Sequence, residues 1–224
     1  MNHAELAALL TPGGLRLVDE LSPIDASAEV ATTVSRLRAA GLSPDLVSAA
    51  VGQARLRTRA RAKFGEFADR MLFTRAGLEQ ATRLAVAARH AGRFREAGFD
   101  RVADLGCGIG GDALALAGIG LEVLAVDADE ITAALAAYNL APFGAAVTVR
   151  HARAEEVSLD GIDAVWLDPA RRTAGHSETT RVGAGEWSPP LEWVFELAAR
   201  RPAGIKLGPA FDRALIPDGA GAGP

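Results

Sequence analysis

Val102-Ala-Asp104-Leu-Gly106-Cys107-Gly108-Ile-Gly110-Gly111 decides how this chain folds. An apolar run breaks into glycines, and an aspartate stands two places before the first of them. A short helical stretch follows, then a second apolar run, Leu121-Glu-Val-Leu-Ala-Val126, which ends on Asp127. A glycine turn lets backbone approach a ligand, and the helix after it presents bare N–H groups. An acid at the tip of the next strand suits the two hydroxyls of a ribose. The pattern predicts an adenosine-containing cofactor.

Working outward from this stretch, strands and helices alternate. Strands are predicted at 101–105, 121–126, 146–150, 162–167 and 203–207, with helices near 110–117, 129–139 and 190–200. Such alternation implies parallel strands, right-handed crossovers and cover on both faces. The first hundred residues read as helices. Ser22-Pro23 and Ser43-Pro44 each place a capping hydroxyl before a proline. Gly41 stops the first of these helices, and the second runs to about Phe64 on a Leu56, Ala60, Phe64 stripe. Thr82 is read as the cap of a helix over 83–96 that Gly98 ends. The domain expectation is a helical region over 1–98, a cofactor-binding α/β domain over 99–216 and a flexible tail over 217–224. Residues 170–188 read as a long polar loop.

Composition narrows the function. Hydrophobic residues make up 49% and charged residues 23%, ordinary values for a globular chain. A net charge of -4 announces no global polycation. Of 24 basic residues only Lys63 and Lys206 are lysines. Cys107 is the one cysteine, which excludes an internal disulfide and a cysteine zinc cluster. The four histidines show no metal-ligand spacing, so no metal is expected. No uncharged apolar run approaches the roughly 20 residues that span a bilayer, so a cytoplasmic protein without a membrane partner is expected.

Gly106-Cys-Gly108-Ile-Gly110-Gly111 also satisfies G-x-G-x-x-G, so an NAD(P)-binding oxidoreductase is a rival. Asp104 argues against it, because a carboxylate there repels a pyrophosphate and suits a cationic, amine-bearing ligand such as S-adenosylmethionine. Asp168-Pro169-Ala170-Arg171-Arg172 ends the 162–167 strand, in the crevice where α/β sheets bind ligands.

Taken together, Asp104-Leu-Gly106-Cys107-Gly108-Ile-Gly110, Asp127 and Asp168-Pro169 resemble class I S-adenosylmethionine-dependent methyltransferases over about 101–208. Residues 63–99, with Phe64-Gly, Leu72-Phe-Thr74 and Leu78-Glu-Gln-Ala-Thr82, resemble the lead-in of the trimethylguanosine-synthase-like branch. They are most similar to a bacterial subgroup that carries a THUMP-like RNA-binding domain after the catalytic one. The resemblance implies a Rossmann-like sheet and S-adenosyl-L-methionine as cofactor. It implies cofactor contacts from Thr82, Asp104, Gly106, Cys107, Gly108, Gly110, Asp127, Ala128 and Ala154. Asp168 and Pro169 take the catalytic place, and the acceptor is a nucleobase nitrogen in RNA.

Three departures stand out. Asp-Pro-Ala-Arg replaces the family's Asp-Pro-Pro and aromatic. Arg153, with Glu155 and Glu156 after it, stands where an acid often lies near the adenine. Only five strands are recognisable, so the terminal hairpin is expected to be missing, as is a C-terminal RNA-binding module. A truncated, non-catalytic cofactor- or RNA-binding protein is therefore a further alternative. Arg171, Arg172 and Trp187 are assigned to substrate, the arginines for phosphate or carboxylate and Trp187 for stacking on a base. Cys107 fills a tight turn, Trp193 is core, and the 55–63 basic run is a solvated helix face.

Overall fold

The computed structural model describes residues 1–21, 23–171, 187–208 and 211–217. Five strands form one parallel sheet: β1 (Arg101–Leu105), β2 (Glu122–Asp127), β3 (Val147–His151), β4 (Ala164–Leu167) and, after two short strands named below, β7 (Ala203–Ile205). Their order is β3-β2-β1-β4-β7. Each lies within two residues of its predicted bounds. The 170–188 segment differs from a plain loop, because β5 (Ala170–Arg171) and β6 (Trp187–Ser188) pair antiparallel at its two ends. Its interior, 172–186, lies outside the described residues, as does the predicted tail from 218.

Alternation along the strands sends successive side chains to opposite faces. Val102, Val123, Ala125, Ala164 and Trp166 face one core, shared with Phe64, Ala91, Phe94, Leu114 and Leu140. Those partners come from α4 (Pro44–Phe64), α6 (Leu84–Glu96), α7 (Gly111–Gly118) and α8 (Glu130–Leu140). Ala103, Leu105, Val165 and Leu167 face the other core, which α9 (Leu191–Ala198) covers with Val194 and the half-buried Trp193.

The helices before the sheet follow their capping chemistry. Ser43 accepts from Leu46 N–H with Pro44 in the first turn, as predicted. The cap expected at Ser22 is not where the next helix starts. Ser22 itself lies outside the described residues, and α3 (Ser27–Ala39) begins four residues past Pro23 with Ala26 at its cap. Two earlier helices that no expectation placed, α1 (His3–Leu9) and α2 (Pro12–Glu20), are capped by Asn2 and Thr11. Leu6, Leu9 and Val18 from these helices share a buried cluster with Leu135 of α8. The first sixty residues therefore dock on the α/β core.

Two buried amides join these layers. Gln53 accepts from Phe73 N–H at 2.9 Å and donates to Phe73 O at 2.7 Å. Asn139 accepts from Leu72 N–H at 2.7 Å and donates to Leu72 O and Ile109 O, both at 2.9 Å. The Met71–Phe73 strap is thus pinned between α4 and α8. The 55–63 run is correspondingly less solvated than its composition suggests. Arg57 is buried, donating to Met71 O at 2.9 Å and to Asp19 at 2.8 Å. Lys63 donates to the carbonyls of Leu78, Glu79 and Ala81. Arg55, Arg59 and Arg61 are the exposed members, Arg61 in a two-bond ion pair with Asp69.

Asn139→Ala strands one N–H and two carbonyls inside the protein, each costing about 1–3 kcal/mol when buried without a partner. Urea unfolding is expected to show a loss of about 2–4 kcal/mol, well above the roughly 0.5 kcal/mol of an ordinary surface change.

Candidate functional site

The parallel registers set the site. Asp104 lies opposite Ala125 on β2 and Trp166 on β4. Asp127 is two residues past Ala125, and Asp168 two past Trp166, so all three carboxylates face the α6/α7 side at the carboxyl ends of the strands. Asp112, in the first turn of α7, faces them. A crevice of about 780 Å³ opens there, lined by all four acids.

Its floor is the turn after β1. Gly106 and Cys107 N–H both donate to Val126 O at 2.9 Å, and Gly108 N–H donates to Asp127 Oδ2 at 2.9 Å. Gly106 has φ 97° and Gly110 φ 87°, where L side chains are strained. At Gly110 a Cβ would also stand 3.0 Å from a Leu140 methyl. Gly110 therefore shapes the turn without lining the crevice. Cys107 is buried, and its Sγ lies 3.5 Å from Gly108 O, in keeping with a turn-filling role.

One wall comes from α5 (Arg75–Gln80), capped by Thr74. A Cβ on Gly77 would come within 2.6 Å of Ile109 Cγ2, so this helix rests directly on the glycine turn. Thr74, Gln80 and Thr82 line that wall. The opposite rim carries Ala128, Ala154 and Arg153, whose guanidinium bonds Glu155 at 3.0 Å. Pro169, Trp187 and Pro189 close the side beyond β4, with the Trp187 ring edge-on to Phe211 at 5.9 Å.

Most sequence-predicted site residues thus converge: Thr82, Asp104, Gly106, Cys107, Gly108, Asp127, Ala128, Ala154, Asp168, Pro169 and Trp187 all line one crevice. Arg171 is on β5, its side chain outside the described atoms, and Arg172 lies outside the described residues. Thr82 differs from its expected role as a helix cap. Arg83 occupies the cap of α6, and Thr82 Oγ donates to Asp112 Oδ2 at 2.9 Å. Lys206, just past β7, was missed. Its ammonium donates to Thr82 Oγ at 3.0 Å and to Asp168 Oδ2. A charged residue at the end of a predicted strand was the available signal.

Electrostatics follow from this crowding. Asp104 is 1% exposed, and its Oδ2 has no partner among the described residues. Burial, and then the charges of Asp112, Asp168 and Asp127, push its carboxyl well above the usual range. Burial also raises Asp127, against the N–H groups of Asp129 and Gly108. It raises Asp168 too, against Lys206. The cluster holds mutually repelling acids and is short of cations. Among the described residues no group of three or more acids, histidines or cysteines could hold a metal, and no helix is long and apolar enough to cross a membrane.

Comparison with known proteins agrees with this architecture. Over 163 residues the chain is 32% identical to a protein named as an uncharacterized S-adenosylmethionine-dependent methyltransferase in two strains of Mycobacterium tuberculosis. The alignment covers 70% of this chain and 43% of the relative, so the chain spans less than half the length of those relatives. The crystal structure of a candidate methyltransferase from Porphyromonas gingivalis W83 superposes with a TM-score of 0.56 at 20% identity, covering 79% of this chain and 47% of that one. Residues 2–60 match a family described as a domain of unknown function (DUF8688). The fold is the Rossmann-like α/β sheet of class I methyltransferases.

Asp104→Asn removes the buried acid. For a raised carboxyl, the folded protein holds more protons than the unfolded chain between the ordinary range and the raised value. Stability is therefore lost as pH climbs through that window. The variant is expected to melt above the parent at pH 8, by about 2–4 °C per kcal/mol relieved, and the gap to close toward pH 4. A parent that gains on the variant between pH 5 and 8 contradicts the assignment.

Proposed function

We propose that the chain binds S-adenosylmethionine and supports methyl transfer to a base nitrogen of RNA. One observation carries the cofactor reading: the orphaned, buried Asp104 oxygen at the foot of a crevice lined by further carboxylates, Asp112, Asp127 and Asp168 among them. An amine or sulfonium cation satisfies that oxygen and offsets the repulsion around it. A pyrophosphate does neither, which sets this reading above the dinucleotide alternative.

The residues fit the cofactor part by part. Asp104 and the 106–108 backbone hold the methionine portion. Asp127 takes the ribose hydroxyls, since each of its oxygens accepts one backbone bond and keeps a free lone pair. Ala128 and Ala154 offer an apolar edge to the adenine. The bound cofactor supplies a methyl group already activated by its sulfonium, the breaking bond leaving its electron pair on sulfur. The protein's part is alignment and exclusion of water.

On the acceptor side, Asp168 and the Pro169 carbonyl offer acceptors to an N–H, and Trp187 offers a flat ring on which a base stacks. That pairing supports a nucleobase nitrogen. The resemblance of residues 63–99 to RNA methyltransferases supports RNA as its carrier. The soluble, cytoplasmic setting expected from sequence belongs to the same reading.

Calorimetric titration tests the cofactor: S-adenosylhomocysteine is expected to bind at micromolar level and NADH not at all. Asp127→Ala, losing two ribose bonds of about 1 kcal/mol each, is expected to weaken binding about tenfold or more. Binding of NADH alone would sink the proposal. For the acceptor, tritium from labelled S-adenosylmethionine is expected in total RNA. Asp168→Ala should lower kcat while leaving KM for the cofactor nearly unchanged. Equal loss of both contradicts an acceptor-side role.

A further inference from the structure

The register that pairs Leu167 with Ile205 places Asp168 and Lys206 side by side beyond their strands. The ladder runs one step further, with Lys206 N–H donating to Leu167 O at 2.8 Å. Beyond that step a polar chain begins. The Lys206 ammonium bridges Asp168 Oδ2 and Thr82 Oγ. The Thr82 hydroxyl donates in turn to Asp112 Oδ2, and Asp112 Oδ1 lies 3.5 Å from His90 Nδ1. The His90 ring rests over Trp166 at 4.5 Å between centroids. In the cofactor reading Asp112 and Asp168 enter only as charges, and the hydrogen-bonded chain itself has no role. It occupies the Thr82 hydroxyl as both donor and acceptor, and it engages one of the two Asp168 oxygens.

Composition supplies a second argument. Both lysines of this arginine-rich chain act on the 78–82 segment: Lys63 on three of its carbonyls, Lys206 on its threonine. An ammonium sends three donors in a cone from one point, whereas a guanidinium's lie in a plane. Lysine stands at the two places where acceptors converge from several directions.

Resting on the methyl-transfer reading, we propose that Lys206 is a positioning residue of the acceptor site. It holds Asp168 as a carboxylate, ties down Oδ2, and leaves Oδ1 for the N–H of an uncharged acceptor nitrogen. The lysine–aspartate pair has no net charge with which to attract a cation. A protonated alkyl amine would meet the Lys206 ammonium at once. A neutral exocyclic amine or ring N–H meets only the free oxygen. The groups facing Asp168 are Lys206 beyond β7, Thr82 before α6, His90 on α6, Asp112 on α7 and Asp104 on β1. Burial and Asp112 favour its protonated form, and Lys206 is the strongest group acting the other way.

The test is a carbon-13 NMR titration of labelled aspartate carboxyls in the whole chain, with the Asp168 signal assigned through Asp168→Asn. In Lys206→Met, Asp168 is expected to bind its proton at least about tenfold more tightly than in the parent. Lys206→Arg, which keeps the charge, is expected to stay within about threefold. Affinity for S-adenosylhomocysteine should change little in either. Lys206→Gln supplies a second uncharged side chain, and thermal melts check that each variant folds. With labelled S-adenosylmethionine, poly-L-lysine is expected to accept no methyl from the parent. An Asp168 titration that stays put in both uncharged variants overturns the proposal, and so does methylation of poly-L-lysine. A parent that fails to bind S-adenosylhomocysteine sinks the methyltransferase reading instead, while the Lys206–Asp168 measurement stands.

Discussion

Parallel strands in one register end together, and their alternate side chains share a face. That constraint brings Asp104, Asp127 and Asp168 to one edge of the sheet, beneath Asp112 at the start of α7. The concentration of acid is a liability for the empty protein and an asset for binding a cation. Each carboxylate raises the proton affinity of its neighbours, and the most buried of them, Asp104, has no partner for its second oxygen. The rest of the site is arranged around that strain. Backbone N–H groups of the glycine turn and of Asp129 meet Asp127, and Lys206 meets Asp168. Asp104 keeps its unmet demand for a positive ligand.

The helices that precede the sheet belong to this arrangement. α5 forms one wall of the crevice and rests on the glycine turn so closely that Gly77 has no room for a side chain. The strap before it is fixed from both sides, by Gln53 and by Asn139, through its backbone groups. Lys63 then caps the carbonyls at the end of α5. Residues 2–60, which match a separate family, thereby steady the wall of a site that none of the described residues among them lines. Their packing against α8 and the pinned strap ties the position of α5 to the folding of the whole chain.

Much of the fold was legible because it is written locally. A glycine cluster between two apolar runs can do little else than turn from strand to helix, and the strand bounds followed within two residues. Ser43-Pro44 and the Leu56, Ala60, Phe64 stripe behaved as capping and periodicity require. Asn2 and Thr11 were equally plain cap signals, present in the sequence and passed over. The less legible features are those whose partners are distant in the chain. Arg57 looks like one member of a solvated basic run until Asp19 and Met71, 38 and 14 residues away, close around it. Thr82 looks like a helix cap until Lys206 arrives from 124 residues further on.

By itself, then, the sequence determined the alternation of the five parallel strands with α7, α8 and α9, the glycine turn and the acids at the strand ends. Periodicity, capping and turn conformations act over a few residues, and no distant partner is needed to read them. Tertiary structure alone decided which of those acids is orphaned, which is paired, and that a lysine beyond the last described strand shares a site with a threonine before the first. Burial and charge pairing depend on what the chain brings together across space, and strand register, which sets those neighbours, is resolved only when the sheet closes.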